Sequence, residues 1–562
     1  MRHLTKTLFY LNRLNSLSQN LLFGCLLYAT ILSAQHAPKR ELRGVWVASV
    51  LNIDFPLYST TSDYTLREEW IKLLERHKAL GINALFVQVR PCADAFYPSD
   101  IVPYSRYLTG QSGIAPANNF DPLEFMVTTA HSFGFEFHAW LNPYRAAMDN
   151  QPASSFAENH VMRKHPEWCI KYNKRYIMNP GIPEVRAHIN EVVSELVRKY
   201  DIDGIHFDDY FYPYKSGNEQ FADYQTYQTY NAGFTNIEDW RRNNIDILIQ
   251  DLSKLIKSIK PRVQFGISPF GVWRNSYRDP EGSATQAGIT CYDDLYADVR
   301  KWMRLNWIDY VVPQVYWTIG FSIADHEKIV KWWSENSAGK PVYIGIGAYR
   351  IGENKGREAA WRDPAEVGRQ IQLGRRTFGV KGSVFFSSKN LTNNPLGIGD
   401  TLRNNYYKYP ALTPQVILDT SHLACEPPEL RDILADNGRV IVRWKPSRLT
   451  EKRKPFQYAI YRFENNHIDF TNGKNILTLV PHDNKMLEYV DKNVVQDVTY
   501  TYAITVIDCG NEETPPEDIY AIGDKGTVEP PLVSTPKATP PKSKVVKKKV
   551  RCGFFRRLFG GC

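Results

Sequence analysis

Short apolar strands alternate with amphipathic helices eight times in this chain, and that pattern is the strongest constraint on its fold. The predicted strands are Arg43–Ala48, Ala84–Arg90, Phe135–Asn142, Gly204–Asp208, Val263–Ser268, Tyr310–Tyr316, Val342–Gly347 and Ser383–Ser387. The predicted helices are Leu66–Leu80, Pro122–Phe133, Glu184–Tyr200, Ile237–Lys260, Tyr292–Leu305, Ala324–Asn336, Pro364–Phe378 and Ile398–Tyr406. Eight such units in about 365 residues predict an α/β fold, a (β/α)8 TIM barrel with enlarged loops.

An open, doubly wound sheet is the alternative for such a pattern. That fold usually has a glycine-rich phosphate turn after its first strand. Residues 49–56, which follow the first predicted strand, contain no glycine. The barrel is therefore the favoured architecture.

The phase of the strands predicts where polar side chains lie. Alternate residues of a strand face opposite sides. In the third strand the apolar set faces the helices, so that Trp140 and Asn142 face the barrel axis, and the fourth strand places His206 and Asp208 inward. The second strand adds inward Gln88 and Arg90, the fifth Ser268, and the sixth Gln314 and Tyr316. The inward residues become polar toward the carboxyl ends of the strands, where barrel enzymes carry their chemistry.

Asp208 and Asp209, at the end of the fourth strand, are the main candidates for catalysis. A carboxylate in this position is a suitable nucleophile, general base or stabiliser of an oxocarbenium ion. Aromatic side chains near strand ends suit a sugar cleft, and the candidates are Trp140, Tyr144, Tyr210, Trp273, Tyr316 and Trp317. Polar contacts to hydroxyl, acetamido or carboxylate groups are expected from Arg90, Asn142, His206 and Gln314.

Five motifs together resemble the glycosyl-hydrolase-like 10 family over roughly residues 40–410. They are the segments at residues 41–48 with 52–56, 86–91, 139–144, 203–210 and 313–317. The resemblance implies an exported or lipid-anchored bacterial barrel, and one branch of the family is associated with cleavage of peptidoglycan glycan strands lacking stem peptides. It also implies a catalytic carboxylate at Asp208 or Asp209, and ligand contacts at Arg90, Asn142, Gln314 and Tyr316.

The second catalytic carboxyl stays open at the level of sequence. Glycosidases usually need two carboxyls, about 5–5.5 Å apart for retention or 6.5–9.5 Å for inversion. The candidates are Asp209 itself and Asp54, Asp94 and Glu353, which follow the first, second and seventh strands. Asp209 is preferred, followed by Asp94. Stereochemistry is left open.

Two other functions compete with a glycoside hydrolase. One is a barrel that binds glycans without cleaving them. The other is a metal-dependent hydrolase using His138, His206 and Asp208, although the first strand lacks a His-x-His pair. No two of the eight cysteines have CxxC spacing. We expect neither a metal nor another cofactor.

Both ends of the chain differ in charge from its middle. The chain has 69 Lys and Arg against 60 Asp and Glu, but 57 basic and 60 acidic residues lie between residues 35 and 529. A body with a net charge of −3 argues against nucleic-acid binding. Residues 1–34 predict a signal peptide, with a basic start and a short apolar run. A retained signal anchor and lipidation at Cys25 are the alternatives.

The barrel is predicted to span residues 35–410, followed by two further regions. Residues 411–526 lack the helical period of the barrel. This region resembles an all-β, immunoglobulin-like fibronectin type III module, because it has Trp444 in an early strand and Tyr500 and Tyr502 alternating in a late one. Residues 527–562 form a Pro- and Lys-rich linker ending in a basic aromatic tail, expected to be disordered. We expect an exported protein of the periplasm or cell envelope, with possible attachment of the tail to an anionic membrane or wall polymer. The oligomeric state stays open.

Overall fold

A closed barrel of eight parallel strands forms the larger part of the fold. The computed structural model describes residues 37–354, 358–416, 425–436, 438–448, 455–465, 467–495, 498–516 and 519–522. Each barrel strand pairs with its neighbours along the chain, and the eighth closes on the first. The strands are β1 (Leu42–Val47), β2 (Ala84–Arg90), β3 (Glu136–Leu141), β4 (Gly204–Phe207), β5 (Gln264–Ile267), β6 (Tyr310–Val311), β7 (Val342–Ile346) and β8 (Val380–Phe385). The predicted (β/α)8 architecture is confirmed.

Helices follow the strands around the barrel. The main ones are α1 (Asp63–Ala79), α2 (Pro122–Ser132), α3 (Pro183–Lys199), α4 (Ile237–Ile259), α5 (Val299–Arg304), α6 (His326–Asn336), α7 (Glu366–Arg376) and α8 (Ile398–Thr401). The single helix predicted over residues 292–305 is wrong. The chain forms a short helix at Cys291–Asp294, and α5 begins separately where the Asp298 side chain accepts a hydrogen bond from Lys301 N. An aspartate in that position favours a new helix start over continuation.

The predicted phase of β3 and β4 is confirmed by two separate apolar layers. Phe137 and Phe207 pack between the barrel and its helices. Trp46, Phe86 and Trp140 pack inside the barrel, on the opposite face of the strands. Because the two faces carry different side chains, the register of these strands is strongly specified.

A small antiparallel sheet lies between β3 and β4 in the chain. Its strands are Arg145–Ala147, Cys169–Tyr172 and Arg175–Met178, with the last in the middle. The first strand pairs with the third so that Arg145 lies opposite Ile177. The sequence analysis did not predict this sheet.

Two antiparallel sheets follow the barrel. One contains β9 (Glu429–Asp436), β10 (Arg439–Lys445) and β13 (Leu487–Asp491), and the other contains β11 (Pro455–Glu464), β12 (Ile476–Pro481), β14 (Tyr500–Asp508) and β15 (Ile519–Ile522). Trp444, Tyr458 and Tyr502 join both sheets in one buried core. We call these two sheets the C-terminal module. Its fibronectin type III identity stays a prediction.

The C-terminal module contacts the amino end of the barrel. Asn511 Nδ2 donates to Oε1 of Glu136, the first residue of β3, over 2.5 Å. Glu41, just before β1, donates its backbone N–H to the carbonyl of Leu412 at 2.9 Å. The module therefore lies opposite the carboxyl ends of the strands.

The predicted signal at residues 1–34 and the predicted tail at residues 527–562 lie outside the described residues. Within the described ranges, no helix is both long and apolar enough to cross a membrane.

Candidate functional site

A cavity of about 450 Å³ opens at the carboxyl ends of the barrel strands. Six predicted site residues line it: Trp140, Asp208, Tyr210, Gln314, Tyr316 and Trp317. Gln88, which the strand phase placed on the axis, lines it as well. The strand phase therefore located the mouth of the barrel correctly.

Asp208 directly follows β4 and is held by three N–H donors. Asn142 Nδ2 donates to Oδ2 at 3.0 Å, whereas Gln314 Nε2 at 3.1 Å and the backbone N–H of Asp209 at 2.9 Å donate to Oδ1. The side chain is 8% exposed and lines the cavity. Among the described residues that line this cavity, Asp208 is the one carboxylate.

Further amide contacts fix the donors around Asp208. Gln88 Nε2 donates to Asn142 Oδ1 over 2.5 Å, while Gln88 Oε1 accepts the backbone N–H groups of Ser49 and Val50. These hydrogen bonds orient the Asn142 amide so that its N–H₂ group faces Asp208. Such pre-organisation holds a reacting group in place without a cost at the moment of reaction.

Asp209 lies behind Asp208 and does not line the cavity. Its Oδ2 accepts a short hydrogen bond from the Tyr214 hydroxyl, and Tyr214 does line the cavity. Burial and then the negative charge of Asp208 raise the pKa of Asp209 well above its ordinary value. Both influences favour the protonated form of the Asp209 carboxyl.

Aromatic rings form the walls of the cavity. Tyr316 stacks on Phe386 with 6.2 Å between ring centroids, and Trp317 packs edge-on against Phe270 at 5.5 Å. Burial, with the charge of Asp208 next, raises the pKa of Tyr316 well above its ordinary value. The Tyr316 hydroxyl thus stays protonated beside the carboxylate. Rings bordered by polar groups suit the apolar faces and hydroxyl edges of sugars.

Arg90 lies outside the cavity, which corrects its predicted inward position. A bulge between Gln88 and Arg90 pairs Arg90 with Leu141, which faces the helices. The Arg90 guanidinium instead donates to the carbonyls of Asn142 and Pro143 at 2.9 and 3.0 Å. It supports the loop after β3 from below.

Three other predicted residues are buried away from the cavity. Tyr144 is completely buried. His206 bonds to Ser268 Oγ and the Tyr310 hydroxyl, at 3.0 and 3.2 Å, and burial holds its pKa well below the ordinary value. Asp94 accepts from the backbone N–H of Cys92 at 2.9 Å, and burial raises its pKa to about 6. These side chains lie around or beneath the site without lining it.

Asn142 also does not line the cavity and contributes to it through its hydrogen bond to Asp208.

The remaining carboxyls that the sequence left open also have structural partners. Asp54 accepts from Ala48 N, Ser387 Oγ and Lys389 N at 2.7–2.8 Å, which ties the end of β1 to the segment after β8. Glu353 pairs with Arg350 at 3.0 Å.

The three proposed metal ligands do not converge. His138 bonds to the Tyr310 hydroxyl at 2.9 Å and to Glu136 at 3.2 Å, below the level of Asp208. Across the part of the chain that the structure describes, no group of three or more His, Cys, Asp or Glu side chains is placed to hold a metal ion.

Residues 41–363 match the model of the family described as Glycosyl hydrolase-like 10. The chain belongs to this family. It is 44% identical over 498 residues to glycosyl hydrolase YngK of Bacillus subtilis (strain 168), covering 87% of this chain and 95% of YngK. It is 38% identical over 369 residues to glycosyl hydrolase DigH of Escherichia coli (strain K12), covering 62% of this chain and 83% of DigH.

The PgaB (BpsB) glycoside hydrolase domain from Bordetella bronchiseptica shares 15% identity with a TM-score of 0.41, covering 65% of this chain and 98% of that domain. The family and the named relatives bear out the predicted enzyme class, a glycoside hydrolase.

In this glycosyl hydrolase-like 10 protein, sequence reasoning missed three arginines that line the cavity: Arg145, Arg175 and Arg350. Arg145 directly follows the 139–144 motif, and that position was the one available signal. Arg175 comes from the unpredicted small sheet, and Arg350 follows β7. Residues on loops, or on strands of three or four residues such as these, carry no periodicity that could reveal them.

Proposed function

We propose that this protein cleaves glycosidic bonds at the carboxyl end of its barrel, with Asp208 as the carboxylate that acts on the sugar. One observation carries the proposal: Asp208 is the single acidic side chain among the described residues lining an aromatic-walled cavity. Its three N–H donors aim it at that cavity. The substrate we propose is a peptidoglycan-type glycan strand or a related polysaccharide.

The proton donor in this proposal is the Asp209–Tyr214 pair. Tyr214 connects the protonated Asp209 carboxyl to the cavity by its hydroxyl group. For the transfer, the Tyr214 hydroxyl turns from Asp209 Oδ2 toward the substrate and the Asp209 carboxyl becomes the donor to Tyr214. As the glycosidic bond breaks, the leaving-group oxygen takes the Tyr214 proton and Tyr214 takes the proton of Asp209. Meanwhile the oxygen of the attacking water bonds to the anomeric carbon and the Asp208 carboxylate takes a proton from that water, so that the negative charge passes from Asp208 to Asp209.

Asp208→Asn tests the proposal, with Asp94→Asn as its matched control. Both residues are buried aspartates, but Asp94 does not line the cavity. Purified variants are incubated with peptide-free glycan strands and other polysaccharides, and new reducing ends are identified by mass spectrometry. We expect Asp208→Asn to lose turnover while retaining glycan binding, and Asp94→Asn to keep turnover. Equal turnover in wild type and Asp208→Asn would reject the role of Asp208, and a wild type that binds glycans without turnover would favour the non-catalytic alternative.

We also propose that the protein is exported, with residues 1–34 as its signal and residues 527–562 as an attachment tail. The signal's basic start and short apolar run support export. Nine Lys or Arg residues without a single acid between residues 530 and 562 support attachment to an anionic surface. Deletion of residues 530–562 followed by cell fractionation tests the tail. Unchanged partitioning with membranes or wall would exclude this attachment.

A further inference from the structure

A second, smaller cavity of about 50 Å³ adjoins the main one, and two arginines are common to both. Arg145, Arg175, Tyr210 and Tyr214 line both spaces. Tyr214 is the residue that bonds to Asp209, so the small cavity adjoins the carboxylate pair.

Arg145 is a buried cation without a carboxylate partner. It is 7% exposed, and its single hydrogen bond within the described part of the chain is a 3.5 Å contact to the carbonyl of Pro91. Its guanidinium lies over the Tyr210 ring, 4.9 Å from the ring centre. Among the described residues, no Asp or Glu lies within ion-pair distance of Arg145 or of Arg175. A buried charge is costly unless it is paired and hydrogen-bonded.

Arg350 and Arg241 show the paired arrangement. Arg350 also lines the main cavity, but Glu358 pairs with it at 2.5 Å and Glu353 at 3.0 Å. Arg241 pairs with the buried Asp223 at 2.5 Å. Arg90 also has no ion-pair partner among the described residues, but it bonds to backbone carbonyls outside the cavity. Arg145 and Arg175 differ from these arginines because they line a cavity and have no carboxylate partner among the described residues.

The small sheet explains how the two cations reach the same space. The strand containing Arg145 pairs with the strand that begins at Arg175, and the register places Arg145 opposite Ile177. Burial raises the pKa of Tyr210, and the positive charges of both Arg145 and Arg175 act against that rise, so both guanidiniums lie near this ring. A planar, doubly donating guanidinium matches a carboxylate better than it matches a neutral hydroxyl.

We propose that Arg145 and Arg175 form a subsite for a carboxylate carried by a sugar residue of the substrate. The inference rests on the proposed glycosidase function and adds the substrate group that is recognised and the residues that recognise it. An anionic substrate group held there is kept away from the negative charge of Asp208. The attraction between the arginines and the substrate carboxylate positions the sugar ring at Asp208. It also disfavours glycans in which the carboxylate is replaced by an uncharged amide.

The test compares one glycan with and without its charge. Peptide-free glycan strands are assayed before and after conversion of their carboxylates to primary amides with carbodiimide and ammonia. We expect amidation to lower kcat/KM of the wild type by about 10- to 100-fold, the range for losing one hydrogen bond between charged groups. Arg175→Gln should lower kcat/KM for the carboxylated strands by a similar factor and remove the discrimination between the two substrates.

Lys171→Gln is the matched control, because it removes the same charge from an exposed position on the neighbouring strand. This variant should keep the full discrimination. A wild type that cleaves both strands equally well would overturn the subsite while leaving the proposed glycosidase function intact. Discrimination that persists in Arg175→Gln would overturn the role of the arginines.

Direct binding keeps the subsite testable if no glycan is turned over or if Arg175→Gln folds poorly. N-acetylmuramic acid and N-acetylglucosamine are titrated into the wild type and into Arg145→Lys, with binding followed by calorimetry. The wild type should bind the carboxylated sugar at least about 10-fold more tightly, and Arg145→Lys should reduce that preference because an ammonium ion cannot replace the planar fork. Equal affinity for both sugars in the wild type would overturn the subsite independently of catalysis.

Discussion

Removal of a single hydroxyl, in Tyr214→Phe, isolates the proposed proton transfer. The phenyl ring keeps its packing against Tyr210, at 5.2 Å between centroids, and against Phe270, at 6.1 Å. Only the hydrogen bond to Asp209 is lost. That loss costs the fold about 1 kcal/mol, which we expect to appear as a Tm shift of a few degrees at most.

The expected kinetic effect is much larger than the effect on stability. General acid catalysis contributes about 10²–10⁴-fold, which equals about 2.7–5.4 kcal/mol of transition-state stabilisation at 1.36 kcal/mol per factor of ten. Tyr214→Phe should therefore lower kcat on unmodified glycan strands by that factor. An aryl glycoside with an acidic phenol as leaving group needs no proton, so its kcat should fall less than about tenfold.

The pH profile supplies a second readout. The Tyr214 hydrogen bond favours the ionised form of Asp209 and thereby lowers its pKa. Without that bond the pKa of Asp209 rises further, and the alkaline limb of the residual activity should move to higher pH. The shift is absent if Asp209 does not supply the proton.

Tyr210→Phe is the matched control, since Tyr210 also lines the cavity but donates no hydrogen bond to either carboxyl group in the described structure. It should keep at least about a tenth of the wild-type kcat. Equal losses on both substrates in Tyr214→Phe would show that Tyr214 merely positions Asp209, and no loss on either would refute the relay.

Three further measurements test the fold and the site. Burial raises the pKa of Asp54 from 3.8 to about 6, so the folded protein holds this proton more tightly than the unfolded chain does. The free energy of unfolding should therefore fall by about 3 kcal/mol as pH rises from below 4 to above 6. Asp54→Asn should remove this part of the pH dependence, which urea titrations at pH 4 and pH 8 would measure. Asn511→Ala removes the donor to Glu136 and should lower barrel stability by about 1–3 kcal/mol, seen as a lower Tm, whereas an unchanged Tm would mean that the contact adds nothing. Asn142→Leu removes one of three donors to Asp208, and we expect kcat to fall by about 10- to 100-fold with little change in KM; a change confined to KM would contradict the positioning role.

The barrel could be predicted because each strand carries information about two faces. In β3 the alternation of Phe137 and His138 fixes which side faces the helices, and a register slip by one residue would bury the wrong set. The same argument placed Asp208 and Gln314 at the cavity. Local patterning and global packing agree in these segments, which is why a single sequence was sufficient.

Prediction failed where a local irregularity changed the phase. The bulge after Gln88 turns Arg90 toward the helices, and no sequence pattern distinguishes a bulged Val89 from a regular one. Arg145 and Arg175 lie on the small sheet, whose placement depends on tertiary contacts. The charge of Arg145 and Arg175 became informative only after the structure showed that Arg145 is buried and that both line the cavity.

The position of the C-terminal module fits a structural role better than a role in glycan binding. It attaches through Asn511, Glu513 and Leu412 to the amino end of the barrel, where Glu513 pairs with Lys39 at 2.7 Å. In barrels of this type the amino end supports stability, and the carboxyl end carries the chemistry. A module on the amino end leaves the cavity open to a long glycan strand. Its deletion should therefore lower Tm of the barrel more than it raises KM, and an intact Tm with a raised KM would favour glycan binding by the module instead.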